Sequence, residues 1–148
     1  MKAFREQTIF VLALANKTDG IVEDALLVRL RGQFLKAGEK KSVPFLPSVY
    51  HGRLAHKPLA WTTAEIERLT QPQTVEVPAG KFSAIVYGVK IADGRAGKFF
   101  VEEAYPHRIV RWELPPDISA EPTGSACLEY WRLQNSGDEG DLKSLGIK

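Results

Sequence analysis

The stretch TVEVPAGKFSAIVYGVKIADGRAGKFFVEEAYPHRIVRWEL, running from Thr74 to Leu114, decides the fold class. Thr74 to Val77 reads as a short strand, and Pro78-Ala79-Gly80 as a tight turn, because proline presets φ at the second position and glycine closes the fourth. From Phe82 to Ile91, the residues Phe82, Ala84, Val86 and Gly88 alternate with Ser83, Ile85, Tyr87 and Val89, the period of two expected of a long strand. Asp93-Gly94 turns the chain again, and Lys98 to Glu102 and Arg108 to Leu114 follow as strands separated by Tyr105-Pro106.

Outward from this stretch, the N-terminal run Thr8 to Ala15 is apolar on both alternating faces. Ala25 to Arg31 sets Leu26, Val28 and Leu30 on one face, so the two read as a hairpin joined at Lys17-Thr18-Asp19-Gly20. Between Gln33 and Ala60, Gly38, Pro44, Pro47, Gly52 and Pro58 limit the chain to short edge strands around Gln33 to Leu35 and Val49 to Leu54. A two-turn helix is expected after Trp61, with Thr62 and Glu65 as a capping box and Trp61 and Ile66 as a hydrophobic staple, ending before Gln71-Pro72. Ser125 to Leu133 reads as the last strand. The tail from Ser136 to Lys148 reads as a short helix capped by Asp138, with Leu142 and Leu145 inward and Gly146 as its stop. The expected architecture is a single mainly β domain over residues 1–148, a curved antiparallel meander of about six or seven strands with one or two short helices.

Composition narrows the function classes. Apolar residues make up 44% and charged residues 26%, the balance of a globular chain. A formal charge of +2, with basic residues scattered apart from Lys36, Lys40 and Lys41 in an expected turn, gives no footprint for nucleic acid. No apolar run approaches the roughly 20 residues of a membrane-spanning helix. Lys2, Arg5 and the small-x-small step Ala13-Leu14-Ala15 have features of a signal sequence, which Glu6 interrupts; a buried strand is the favoured reading of that run.

Catalytic and metal chemistry find no support in the spacing. Cys127, the sole cysteine, lies in the apolar run Ala126-Cys127-Leu128 and is expected to be a small buried hydrophobe. His51, His56 and His107 match no metal-site spacing, and adjacent Glu102 and Glu103 point to opposite sheet faces. Ser83, Ser125 and Ser136 sit in no nucleophile elbow, and Gly94 to Gly97 reads as a hairpin loop and not a phosphate cradle. The expectation is therefore no catalytic residue, no metal and no cofactor.

The run Val75 to Ala84, with Lys98-Phe99-Phe100-Val101 and Pro106-His107-Arg108-Ile109-Val110-Arg111-Trp112, resembles a pattern in uncharacterised bacterial proteins. In those, a Val-Pro-Ala-Gly-x-Phe turn and its strands belong to a curved sheet similar to lipoprotein-localisation carriers. The resemblance implies an exported, periplasmic protein whose half-barrel holds an acyl chain or another apolar ligand; the strand reading of Thr8 to Ala15 implies a cytoplasmic one instead. Geometry adds a second motive. Seven strands of about 25 Å at about 4.8 Å spacing present about 800 Å² per face, whereas a two-turn helix shadows about 120 Å². Much of a face then needs cover from the segment Gln33 to Ala60, the tail, sheet curling, a ligand or a partner. The candidate ligand-binding residues are Phe82, Val86, Phe99, Val110, Trp112 and Tyr130, pooled over both faces. The leading expectation is a noncatalytic binding protein for an apolar small molecule, and the alternative is a structural or protein-interaction domain covered by its own loops or by a protein partner.

Overall fold

The computed structural model describes residues 17–115, 118–133 and 136–145. Among them the chain forms one mainly β, curled half-barrel sheet with two short helices: β1 (Ile21–Val22), α1 (Leu26–Arg31), β2 (Lys40–Leu46), α2 (Val49–Leu54), β3 (Thr62–Arg68), β4 (Gln73–Val77), β5 (Gly80–Ile91), β6 (Ala96–Glu102), β7 (Ile109–Leu114) and β8 (Ile118–Ala120). The sheet order is β1-β2-β3-β5-β6-β7-β8, with β4 also paired to β5. All ladders are antiparallel except β1 with β2, which is parallel.

The long strand β5 organises everything around it. Along one edge its second half pairs with β3 and its first half with β4, so β3 and β4 lie end to end. Between the Arg68–Tyr87 pair and the Gln73–Ala84 pair, Leu69 to Pro72 face only Ile85 and Val86. Leu69 N still donates to Val86 O at 2.9 Å, so two extra residues bulge out between β3 and β4 while the chain stays on the β5 edge. At the far end of β4, Arg111 Nη2 donates to Glu76 O at 3.0 Å and Ala79 N to Pro122 O at 3.1 Å, which ties β4 to the β7 side.

Alternation on these strands gives two buried faces. Phe45, Ile66, Tyr87, Val89, Phe99 and Val101 lie on one, covered by Ile21, Leu26, Leu30 and Leu35. Val75, Val77, Ala84, Val86, Phe100 and Val110 lie on the other, closed by the curl of the sheet with Leu69, Ala79 and Phe82 against them. Most of the cover expected from outside the sheet thus comes from α1 and the residues flanking it.

Several local expectations are corrected. Ala25 to Arg31 is a 3₁₀ turn leading into helix α1 rather than a strand, because Leu26 and Leu30 stand four residues apart and both reach the sheet, while Val28 between them is exposed. The capped helix after Trp61 is instead β3, where Ala64 and Ile66 are buried and β2 and β5 hydrogen-bond both edges. Val49 to Leu54 is helix α2 rather than an edge strand, capped by Ser48, whose Oγ accepts from His51 N at 3.0 Å. Gln33 to Leu35 and Ser125 to Leu133 form no strand; Tyr130–Arg132 is a 3₁₀ turn, Trp131 is exposed, and β8 is the last strand among the described residues. Cys127 is exposed, not buried. In the tail, Asp138–Leu145 is a 3₁₀ segment. The reading of Thr8 to Ala15, the inward placement of Leu142 and Leu145, and the stop at Gly146 lie outside the described residues.

Candidate binding sites

Five of the six pooled residues divide between opposite sheet faces. Phe99 and Trp112 are cross-strand partners on β6 and β7, and their rings stack with centroids 6.2 Å apart at an interplanar angle of 4°. They form one wall of a cavity of about 260 Å³ whose facing walls come from Leu26 and Leu27 of α1 and from Tyr50, Leu114 and Ile118. Phe99 is buried and Trp112 half-buried, so the pair belongs both to the core and to the cavity. Phe82 and Val110 line a different cavity of about 280 Å³ on the other face, with Ala79, Ile109 and Pro122 as further apolar walls and Arg31, Arg108 and Ser125 at its rim. Val86 lines neither and is 1% exposed in the core between β5 and its neighbours. The side chain of Tyr130 lies outside what is described.

A buried polar network borders the first cavity. Arg95, after the Asp93-Gly94 turn, donates from Nη1 and Nη2 to Glu23 at 2.7 and 2.8 Å, and from Nε to Asp93 Oδ2 at 2.9 Å. Glu23 Oε2 also accepts from Ser48 N at 2.9 Å, so the carboxylate fastens the entry to α1, the cap of α2 and the β5–β6 turn together. Burial alone would push the Asp93 carboxyl up, but the hydrogen bonds and charge of Arg95 outweigh it and hold Asp93 below the usual carboxylate range; Arg95 in turn is held higher by Glu23 and Asp93 against burial. His51 Nε2 is buried 3.5 Å from Asp93 Oδ2, beyond ordinary hydrogen-bond length.

Beside the second cavity, Arg108 forks onto Glu102 through Nε at 2.6 Å and Nη2 at 2.8 Å and lies 5.2 Å from the Phe82 ring centroid. The Arg108 hydrogen bond holds the Glu102 carboxyl low against the opposing pull of burial. A carboxyl depressed in the fold stabilises above its unfolded value and loses that contribution as pH falls through the folded one. Stability is therefore expected to fall below about pH 4, and Glu102→Gln to flatten that acid limb in urea titrations. An unchanged pH slope in the variant would remove Glu102 as its source.

Neither Arg31 nor Arg108 was legible as a site residue. Reading Ala25 to Arg31 as a strand hid where Arg31 points, and Arg108 is placed by the loop at Pro106-His107, where Arg31 Nη2 and Nε donate to the carbonyls of Pro106 and His107 at 3.1 and 3.0 Å. Among the described residues, no group of three His, Cys, Asp or Glu converges as a metal would require. His107 rests against Gln33 Nε2 at 3.1 Å, and no helix is long and apolar enough to cross a membrane. No family model, no curated protein and no solved structure matches the chain.

Proposed function

We propose that the protein is a noncatalytic binder of a small apolar ligand, held between the Phe99–Trp112 pair and α1. The observation that carries this reading is the stacked aromatic wall of the 260 Å³ cavity, faced by leucines and bordered by Asp24 and by Glu23 and Ser48, the latter two joined to each other and to Arg95. The volume lies just under the roughly 300 Å³ at which drug-sized pockets begin, which favours a ring system or a short chain over a long lipid tail.

A titration with the neutral fluorophore N-phenyl-1-naphthylamine tests it. The wild type is expected to bind saturably, and Trp112→Ala to weaken binding by about tenfold or more, about 1.4 kcal/mol. Because Trp112 is half-buried, the stability loss should stay below the about 3–5 kcal/mol of a fully buried tryptophan. The reverse pattern, no saturable binding and a loss of that full size, would favour a closed core. The alternative, a protein-interaction domain, draws on Val49, Tyr50 and Leu54 of α2, which are 58%, 61% and 57% exposed, Tyr50 also lining the same cavity. A flat dye titration gives that reading first place.

A further inference from the structure

We propose that the second cavity, between Phe82, Val110 and Pro122, is a binding site for a small monocarboxylate with a short apolar body, its carboxylate held at the rim by Arg31 and Arg108. The site is separate from the cavity at Phe99 and Trp112: the two share no lining residue, with Phe82 and Val110 on the opposite buried face, although α1 gives Leu26 and Leu27 to one and Arg31 to the other. Its walls are apolar, and no carboxylate lines it among the described residues.

Charge decides the ligand class. Arg108 is matched by Glu102, which leaves its position fixed and its charge balanced. Arg31 is matched differently: its Nε and Nη2 donate to two backbone carbonyls, which orient the guanidinium without cancelling its charge. Among the described residues, one carboxylate is paired with the two guanidinium groups that line this cavity. These hydrogen bonds use Nε and Nη2 of each arginine and leave Nη1 out, so each guanidinium has donors beyond them for an incoming anion. Phe82 is occupied on one side by the Arg108 guanidinium and contributes to the cavity wall, which sets an apolar surface directly beside the positive rim. A volume of about 280 Å³ admits a short chain or a single ring behind the carboxylate.

Octanoate, 1-octanol and octylamine share a chain and differ in charge, and calorimetric titration of the full chain with each tests the proposal. Octanoate is expected to bind saturably, the alcohol about tenfold more weakly, and the amine not at all, in keeping with a charge-assisted pair. Arg31→Gln should bring octanoate down to the level of the alcohol and leave the alcohol unchanged. Arg31→Lys, which keeps the charge and loses the planar fork, should fall between. Equal binding of octanoate and octanol, or octanoate affinity unchanged in Arg31→Gln with an unchanged melting profile, overturns the proposal. So does displacement of N-phenyl-1-naphthylamine by octanoate, which would put the acid in the other cavity; failure of the dye to bind at all bears on the first cavity alone.

Discussion

Replacing Arg95 by methionine is expected to lower folding stability by about 3–5 kcal/mol at neutral pH, the scale of breaking a buried ion pair from one side. The side chains of Arg95, Glu23 and Asp93 are 9%, 10% and 12% exposed, so solvent screens little of their interaction. Methionine fills much of the volume but leaves two carboxylates in a poorly hydrated site with no cation between them. The pH dependence follows from the sign of the Asp93 shift. In the wild type its carboxyl sits low, so its contribution is present above the unfolded value and lost as pH falls through the folded one. Without the guanidinium, burial is opposed only by the backbone N–H of residue 95 on Asp93 Oδ1 and by His51, so the same group sits higher than in the wild type and the variant's penalty is relieved by protonation. The difference between the proteins should therefore shrink in urea titrations as pH falls from 7 toward about 4. A loss under about 1 kcal/mol at neutral pH would rank the network with exposed surface pairs.

Leu30→Ala should cost about 2–5 kcal/mol, as for other fully buried leucines. Helix α1 has six residues, far fewer than the about 12–15 that an isolated helix needs, so its existence depends on what its inward side chains touch. Leu26 and Leu30 are 2% and 0% exposed, while Val28, on the same short helix, is 73% exposed. Val28→Ala is accordingly expected to stay within about 0.5 kcal/mol of the wild type. A strand over Ala25 to Arg31 would instead put Leu26, Val28 and Leu30 on one face and make the two substitutions comparably costly. Chemical denaturation of both variants separates the cases.

That same segment shows where sequence reading reaches its limit. Leu26, Val28 and Leu30 satisfy a period of two, and Leu26, Leu27 and Leu30 satisfy a helical one; in so short a run the pattern cannot choose. At Trp61 to Ile66 the capping signals were local and the outcome was not: β2 and β5 supply backbone partners on both edges, and Ala64 and Ile66 fit their alternation. The meander from β4 to β7 was legible because strand alternation and turn chemistry agree there, at Pro78-Ala79-Gly80 and Asp93-Gly94. Candidate site residues were harder, since register decides the face. Phe99 and Trp112 share a face and a cavity, whereas Phe82 and Val110 share the other; Phe82 gets there by plain alternation with Ala84 and Val86, and Val110 by the irregular step between Phe100 and Val101 in the β6–β7 ladder. For α2, Ser48 after Pro47 was the available signal, a cap ahead of a helix interrupted by Gly52.

From β4 to β8 each strand pairs with its successor across a short connection, whereas β1 meets β2 only after the chain has passed through α1 and residues 32–39. Closure entropy rises with the length of chain enclosed, so the local ladders are favoured as the early part of refolding and the N-terminal cover as the late part. The same asymmetry applies in reverse to partial opening. Amide exchange in α1 and β1 should proceed through a lower-energy event than exchange in β5 and β6, with the meander still protected. Detachment of this late-forming unit would expose the Phe99–Trp112 wall while the β4–β8 meander stays intact, giving a guest a way in that does not require global unfolding.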